Sequence, residues 1–227
     1  RGTEMAPLRV SVGLSAMVVF CASSVVHAQD TTDFDFNRLS LRGLGIDIGY
    51  VYPTRAERAV SYGGRFDMGY AQPGLRVVPH VSYWSSPLLA NEITEFENRI
   101  AALVAGQTGD PPPQLSLGPI DWQDVAFGVD THVVWDTPFD LLTYGGLGVT
   151  AHVLKGYGDA ILGTFIDELL DTVTAGFNLH FGAEYPVTSR FRAYSIAKYE
   201  VLSDLQLFNL RVGWQIMTGP NAPGEER

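Results

Sequence analysis

The chain has 227 residues, and its 25 acidic and 15 basic side chains give a net charge of −10 at neutral pH. An acidic excess of this size argues against a nucleic-acid-binding protein, which would carry basic clusters. The length allows one large all-β domain or two small domains.

The first part of the chain has the features of an export signal. Arg9 precedes an apolar run, Val10–Val26, and Val26-His27-Ala28 places small residues where a cleavage site needs them. We therefore predict a signal peptide over residues 1–28. The alternative is a retained helical anchor, because the 17 residues of the run nearly suffice to span a bilayer.

Cleavage after Ala28 would remove Cys21, the one cysteine of the chain. The mature protein would then form no intramolecular disulfide and carry no thiol chemistry. No apolar run of about 18 residues follows the signal, so any membrane crossing beyond it would have to use strands.

The stretch Val173–Tyr185 has the pattern that the rest of the chain repeats. All its odd positions are apolar or aromatic, and all its even positions are polar or glycine. Neighbouring side chains of a strand point to opposite faces, so this strand has one apolar and one polar face. Its 13 residues exceed the usual strand of about 5–6 and suit a tilted membrane strand of roughly 9–11.

Eight stretches share this alternation. The third of them contains Pro79, which removes a ladder donor and predicts a bulge there. Before the strands lies a polar lead-in, 29–40, and after them a flexible tail, 218–227, so the predicted barrel covers 41–217. The eight predicted strands are Leu41–Tyr52, Gly64–Ala71, Leu75–Tyr83, Trp122–Trp135, Asp140–Leu154, Val173–Tyr185, Phe191–Val201 and Leu205–Met217.

Loop lengths alternate along the predicted strands. The first, third and fifth connections are long, and the others are short, including the seventh, which departs from the alternation. Bacterial membrane barrels have long external loops and short periplasmic turns. The long insertions are therefore assigned to the outside.

Aromatic side chains cluster near both ends of the predicted strands. Two such groups are typical of the aromatic girdles at the two lipid–water boundaries. One group is Tyr50, Tyr52, Tyr83, Trp122, Tyr199 and Phe208, and the other is Tyr70, Trp135, Tyr185, Phe191 and Trp214.

Two insertions carry apolar residues at helical spacing. We predict helices over Asn91–Ala105, with Asn91 as N-cap and Gly106 as stop, and over Asp159–Leu170. Their apolar faces would cap the barrel mouth, dock a partner or lie on the lipid surface.

A secreted lipocalin-like ligand cup is the competing eight-stranded barrel. Such a cup needs an apolar lining and an exterior that faces water. In this chain the polar faces hold Gly, Asp, Arg and His, so the apolar faces are expected outside, against lipid.

The chain resembles the outer membrane protein β-barrel families, such as the transmembrane domain of outer membrane protein A. The resemblance covers residues 29–217, and Gly213-Trp214-Gln215-Ile216 is similar to the C-terminal signal read by the barrel assembly machinery. The family usually ends on Phe, whereas Met217 and a tail follow here.

The resemblance implies an all-β fold, an eight-stranded antiparallel up-and-down transmembrane barrel, in the outer membrane of a Gram-negative bacterium. It also implies export through the periplasm, contact with outer-membrane lipids and with the assembly machinery, and a monomer. We expect no cofactor and a structural or adhesive role without catalysis, and the extracellular partner is left open.

The interior is predicted to be a network of charges. A barrel of eight strands is just wide enough to be filled by its own side chains, and buried charges must be paired. A closed barrel follows, with a narrow gated channel as the alternative. The inward-facing charges are Asp47, Asp67, Asp124, Asp130, Glu184 and Glu200, with Arg65, Arg76, Arg192, Lys198 and Arg211.

Four histidines, His80, His132, His152 and His180, also fall on inward faces. We interpret them as structural, although a metal site remains an alternative. His80 and Ser82 faintly resemble the histidine–serine pair of lipid A deacylases. Both face the interior by parity, whereas an enzyme acting on lipid needs them outside, so no catalytic residue is assigned.

Overall fold

The computed structural model describes residues 39–137, 141–164, 166 and 170–218. The predicted signal peptide, the lead-in up to residue 38 and the tail beyond Thr218 lie outside these residues. The described part contains one helix, α1 (Ala90–Thr108), and nine strand segments. These are β1 (Gly43–Pro53), β2 (Ala59–Asp67), β3 (Tyr70–Gln72), β4 (Leu75–Pro87), β5 (Asp121–Thr137), β6 (Leu141–Tyr157), β7 (Thr172–Pro186), β8 (Phe191–Val201) and β9 (Gln206–Met217).

The strands form a closed antiparallel barrel. From β4 to β9 each strand pairs with the next along the chain, β1 pairs with both β2 and β9, and β2 closes the circle on β4. The short β3 continues the line of β2 along β4. The wall therefore has eight strands, which confirms the predicted up-and-down barrel.

The two faces of the wall are as predicted, with apolar groups outside. On β7, Phe177 is 71% and Phe181 58% exposed, whereas Asn178 and His180 are 3% and 1% exposed. A ligand cup has the reverse arrangement. Large apolar side chains in such a band around the barrel suit hydrocarbon and not water.

The second wall strand begins earlier than predicted. It starts at Ala59 instead of Gly64, because Val60 and Tyr62 already alternate outward and Ala59 pairs with Val51. The connection from β1 to β2 is therefore only residues 54–58. The prediction of a long first loop is wrong. The two long loops that remain, 88–120 and 158–171, lie at the same end of the barrel.

A shift in register turns Tyr70 inward. Gly69 has a φ of 72°, and the pairing with β4 is irregular between Tyr70 and Gln72. Tyr70 is consequently 5% exposed and is not part of the outer girdle. The bulge predicted at Pro79 is absent from β4, whose pairing with β5 continues without a shift through Pro79. The irregularity lies instead on the neighbouring wall strand.

Trp122 is the second residue that was wrongly predicted to belong to an aromatic girdle. It lies two positions before Asp124 on the inward face of β5 and is 7% exposed. The other predicted members are at least 39% exposed and are Tyr50, Tyr52, Tyr83, Trp135, Tyr185, Phe191, Tyr199, Phe208 and Trp214.

Helix α1 is longer than predicted at both ends. Its N-cap is Leu89, without a side-chain hydrogen bond, and Asn91 lies within the helix. Gly106 is also helical, and the helix ends at Gly109, whose φ of 77° lets its N–H bond to Ala105. No helix among the described residues is both long and apolar enough to span a membrane.

The second predicted helix, Asp159–Leu170, lies only partly within the described residues. Residues 165 and 167–169 lie outside them. Residues 159–164 form turns and a bend, and 166 and 170 have helical backbone.

The lipid-facing assignment predicts the effect of a charge on the outer wall. Val149 lies at the middle of β6 and is 53% exposed. Arginine facing lipid at the midplane costs about 2–4 kcal/mol. We expect Val149→Arg to lower the free energy of unfolding from lipid vesicles by about this amount in urea titrations, with Val149→Leu as the near-neutral control. Equal unfolding of the two variants would mean that this face meets water.

Candidate functional site in the barrel interior

The glycines of β6 allow side chains of β5 and β7 to meet inside the barrel. Gly148 lies between Asp130 and Asn178 in the pairing of the three strands. Because glycine has no side chain, Asn178 Nδ2 reaches across and donates to Asp130 Oδ1 at 3.0 Å. A Cβ at position 148 would lie 2.6 Å from Asn178 Nδ2, so a larger residue would push this pair apart.

Glu184 lies at the centre of a cluster of arginines near the end of the barrel that has the short turns. It accepts hydrogen bonds from both terminal nitrogens of Arg76 and from Arg65 Nη2 at 2.8 Å. Arg192 Nη1 lies 3.6 Å away. Arg76 also bonds to Asp67 at 3.4 Å. The Glu184 side chain is 0% exposed, so these cations replace water around it.

Asp130 is the centre of a second cluster at mid-height. Lys198 Nζ donates to Asp130 Oδ2 at 2.6 Å and lies 3.1 Å from His80 Nε2. All three side chains are less than a tenth exposed. The amide of Asn178 completes the shell around the carboxylate.

Asp124 and Glu200 enclose His152 toward the opposite end, where the long loops lie. Asp124 Oδ2 accepts Trp84 Nε1–H at 2.9 Å and lies 2.8 Å from His152 Nδ1. The other ring nitrogen of His152 is 3.3 Å from Glu200 Oε1. A carboxylate can only accept hydrogen bonds, so both nitrogens of His152 face acceptors.

Asp47 forms the last pair of the interior. Arg211 Nη1 donates to it at 3.0 Å and the Tyr194 hydroxyl donates at 2.8 Å. The guanidinium of Arg65 lies 3.3 Å from the centre of the Tyr194 ring, which links this pair to the Glu184 cluster. The structure thus places all eleven predicted interior charges inside the barrel.

Asp130, His132 and His180 have ligand-type atoms within 4.8 Å of one another. Arg76 Nη2 donates to His132 Nδ1 at 3.0 Å, which places the proton of a neutral His132 on Nε2. Lys198 and Asn178 already occupy the Asp130 oxygens. His132 Nε2 and His180 Nε2 have no hydrogen-bond partner among the described residues, so a metal ion at these atoms would compete with Lys198 and Asn178 for Asp130.

The histidine–serine pair faces the interior, as its parity predicts. His80 contacts Lys198 and Asp130, and Ser82 lies half-buried on the same face of β4. Neither side chain faces lipid, so the geometry needed for attack on a lipid ester is not present at this pair.

Apolar clusters lie inside the barrel at both ends, a feature that the predicted charged interior does not include. They lie on the inward face, at the strand ends and in the adjoining loops, where the alternation of polar and apolar residues breaks down. This breakdown, for example at Val134 and Leu154, is the signal that could have revealed them. The cluster at the loop end is Val51, Ala56, Trp84, Trp122, Leu154, Leu202, Leu205 and Leu207, and the cluster at the turn end is Tyr70, Val134, Leu142, Tyr144 and Ile196.

The long loops form a small subdomain with its own apolar core. Helix α1 packs its buried residue Ile100 with residues of the segments 109–120 and 158–171. Leu117 N–H also donates to Glu97 Oε1 at 2.7 Å, which ties the first of these segments to the helix. The core consists of Ile100, Leu117, Ile120, Ile161 and Ile166, with Leu88, Ile93, Phe96, Leu115 and Leu170 packed against it.

Solved structures with a similar fold are outer-membrane barrels. Neisserial surface protein A shares 13% identity over 78% of this chain and 96% of its own, with a TM-score of 0.51. The fold is that of the eight-stranded outer-membrane β-barrels.

Two further barrels are similar at lower scores. The attachment invasion locus protein Ail of Yersinia pestis has 11% identity over 80% of this chain and 99% of its own, with a TM-score of 0.46. The N-terminal domain of Pseudomonas aeruginosa OprF has 13% identity, coverage of 78% and 98%, and a TM-score of 0.39. No family model and no curated protein sequence matches the chain.

Removal of the charge on Glu184 tests the pairing inside this barrel. Glu184→Gln keeps the shape of the side chain but leaves Arg65 and Arg76 without their shared counter-ion. Breaking a buried ion pair costs about 3–5 kcal/mol, and we expect a loss of this size in the free energy of unfolding.

The matched control is Glu95→Gln, which removes the exposed i,i+4 pair with Arg99. That pair is worth about 0.3–0.5 kcal/mol. Urea titration of both variants in vesicles makes the comparison, and a Glu184→Gln loss as small as that of the control would contradict the pairing described above.

Proposed function

We propose that this protein is an integral protein of the bacterial outer membrane whose closed barrel anchors an external surface for contact with other molecules. The observation that carries this proposal is the filled interior: a layer of paired charges between two apolar clusters. Its role is structural or adhesive, and we assign no catalytic residue.

The layered interior supports a barrel that does not conduct. Ions would have to pass the apolar cluster around Trp84 and Leu207, both at most 2% exposed, before they reach the charges. The charges beyond it already hold one another at hydrogen-bond distance. A cluster around Tyr144, which is 0% exposed, closes the other end.

The loop subdomain supports a role in surface contact. Leu103 and Leu162 are 67% and 74% exposed, and Val104 is 37% exposed. Segments 88–120 and 158–171 also carry eight acidic side chains against Arg99 alone. An apolar surface held above the membrane by a rigid barrel, with an acidic surrounding, suits contact with an apolar or basic surface.

The outer wall supports contact with membrane lipids. Leu147 and Val149 of β6, and Leu210 and Val212 of β9, are each about half exposed or more. We also propose the barrel assembly machinery as a partner, because residues Gly213–Ile216 of the last strand resemble the C-terminal signal that this machinery reads.

Planar lipid bilayers test the closed interior. We expect the purified barrel to insert, as shown by gel migration that changes on heating, and to give no conductance steps. Regular steps of one size after insertion would identify a channel and would contradict the filled interior.

Adhesion of whole cells tests the external surface. We expect the double substitution Leu103→Ser and Leu162→Ser to reduce several-fold the number of expressing cells that adhere to polystyrene, because it removes the two most exposed large apolar groups among the described residues of the subdomain. Gln107→Ser, an exposed change on the same helix, is the control. Equal adhesion of the wild-type, double-variant and control strains would refute the adhesive role without contradicting the barrel fold.

A further inference from the structure

The external mouth of the barrel contains a pocket beneath helix α1. It has a volume of about 230 Å³, and Ser203 and Asp204 on its rim are exposed, so it opens to the outside. It belongs to the inner side of the loop subdomain, not to the exposed surface of Leu103 and Leu162. Its apolar walls are Phe96, Trp122, Leu154, Leu170, Leu202 and Leu205.

Trp122 lines this pocket and carries an enclosed indole N–H. The side chain is 7% exposed, and its Nε1–H has no acceptor among the described residues. Trp84, in the same apolar cluster, instead donates its Nε1–H to Asp124 at 2.9 Å. Buried N–H groups without an acceptor are rare, and a missing ligand or water is a usual explanation.

Arg55 places a second donor beside the indole. Its guanidinium lies 5.9 Å from the centre of the Trp122 ring, and its Nε donates to Glu92 at 2.6 Å. The Arg55 side chain is 31% exposed and can turn aside. An oxygen that enters the pocket would therefore lie beside the indole and the terminal nitrogens of Arg55, with apolar walls around the rest of the ligand.

We propose that this pocket binds a medium-chain acyl group, with its carbonyl or carboxylate oxygen on Trp122 Nε1 and its hydrocarbon chain along Phe96, Leu154 and Leu170. At roughly 30 Å³ for each group of water size, 230 Å³ holds about eight such groups, close to the size of a medium-chain acyl group. This site goes beyond the proposed surface contact and does not depend on it. A free fatty acid and an acyl ester share this chemistry.

Equilibrium dialysis with labelled octanoate tests the proposal on the full barrel in nanodiscs, after subtraction of uptake by empty nanodiscs. We expect one saturable site per barrel. Trp122→Phe keeps an aromatic ring but loses the donor, and loss of one hydrogen bond should weaken binding about three- to tenfold. Leu170→Trp fills the pocket and should abolish saturable binding.

Matched substitutions elsewhere provide the controls. Trp135→Phe makes the same change on the lipid-facing wall, and Leu162→Trp makes the same change at an exposed site of the same loop; both should bind as the wild type does. Heat-modifiable gel migration checks that every variant is folded. The absence of a saturable site, or equal binding by Trp122→Phe and Trp135→Phe, would overturn the proposal.

Two further ligands identify the chemistry. Methyl octanoate in place of octanoate separates an ester ligand from a free acid, and saturable binding of either one supports an acyl site. Octylamine has the same chain but no oxygen acceptor, so we expect no saturable binding. If octylamine binds as tightly as octanoate does, the assigned role of Trp122 is wrong.

Discussion

The need of a buried charge for a partner governs the interior of this barrel. Glu184 is completely enclosed, and without its arginines it would lose the solvation of water with nothing to replace it. Arg76 and Arg65 supply that replacement from other wall strands. Because the partners belong to strands far apart in sequence, the pairs form only when the barrel closes, and they connect opposite walls across the lumen.

Space for these pairs comes from glycine. The inward face of β6 has Gly146 and Gly148 between charged or aromatic groups of β5 and β7. Long side chains fold over these positions and reach one another, as Asn178 and Asp130 do. The same residue type that weakens an ordinary strand therefore makes room inside this barrel for long side chains from neighbouring strands.

The two ends of the barrel differ in the apolar clusters that they contain. At the turn end, an apolar cluster around Tyr144 lies inside the barrel. At the other end, the cluster around Trp84 is followed by a subdomain with a separate apolar core. A pocket lined by Trp122, whose indole N–H has no acceptor among the described residues, lies between the barrel mouth and this subdomain.

Alternation along the chain predicts the number of wall strands and their inward and outward faces, because a strand alternates its side chains whatever surrounds it. A local break in that alternation cannot be predicted in this way. Gly69, with its positive φ, turns Tyr70 inward, and only the pairing with β4 shows where the shift in register occurs. The choice of partner for each charge, the burial of Trp122 and the pocket under α1 were decided by the tertiary structure. These features depend on distances between strands and loops that meet only after closure, and no periodicity along the chain encodes such distances.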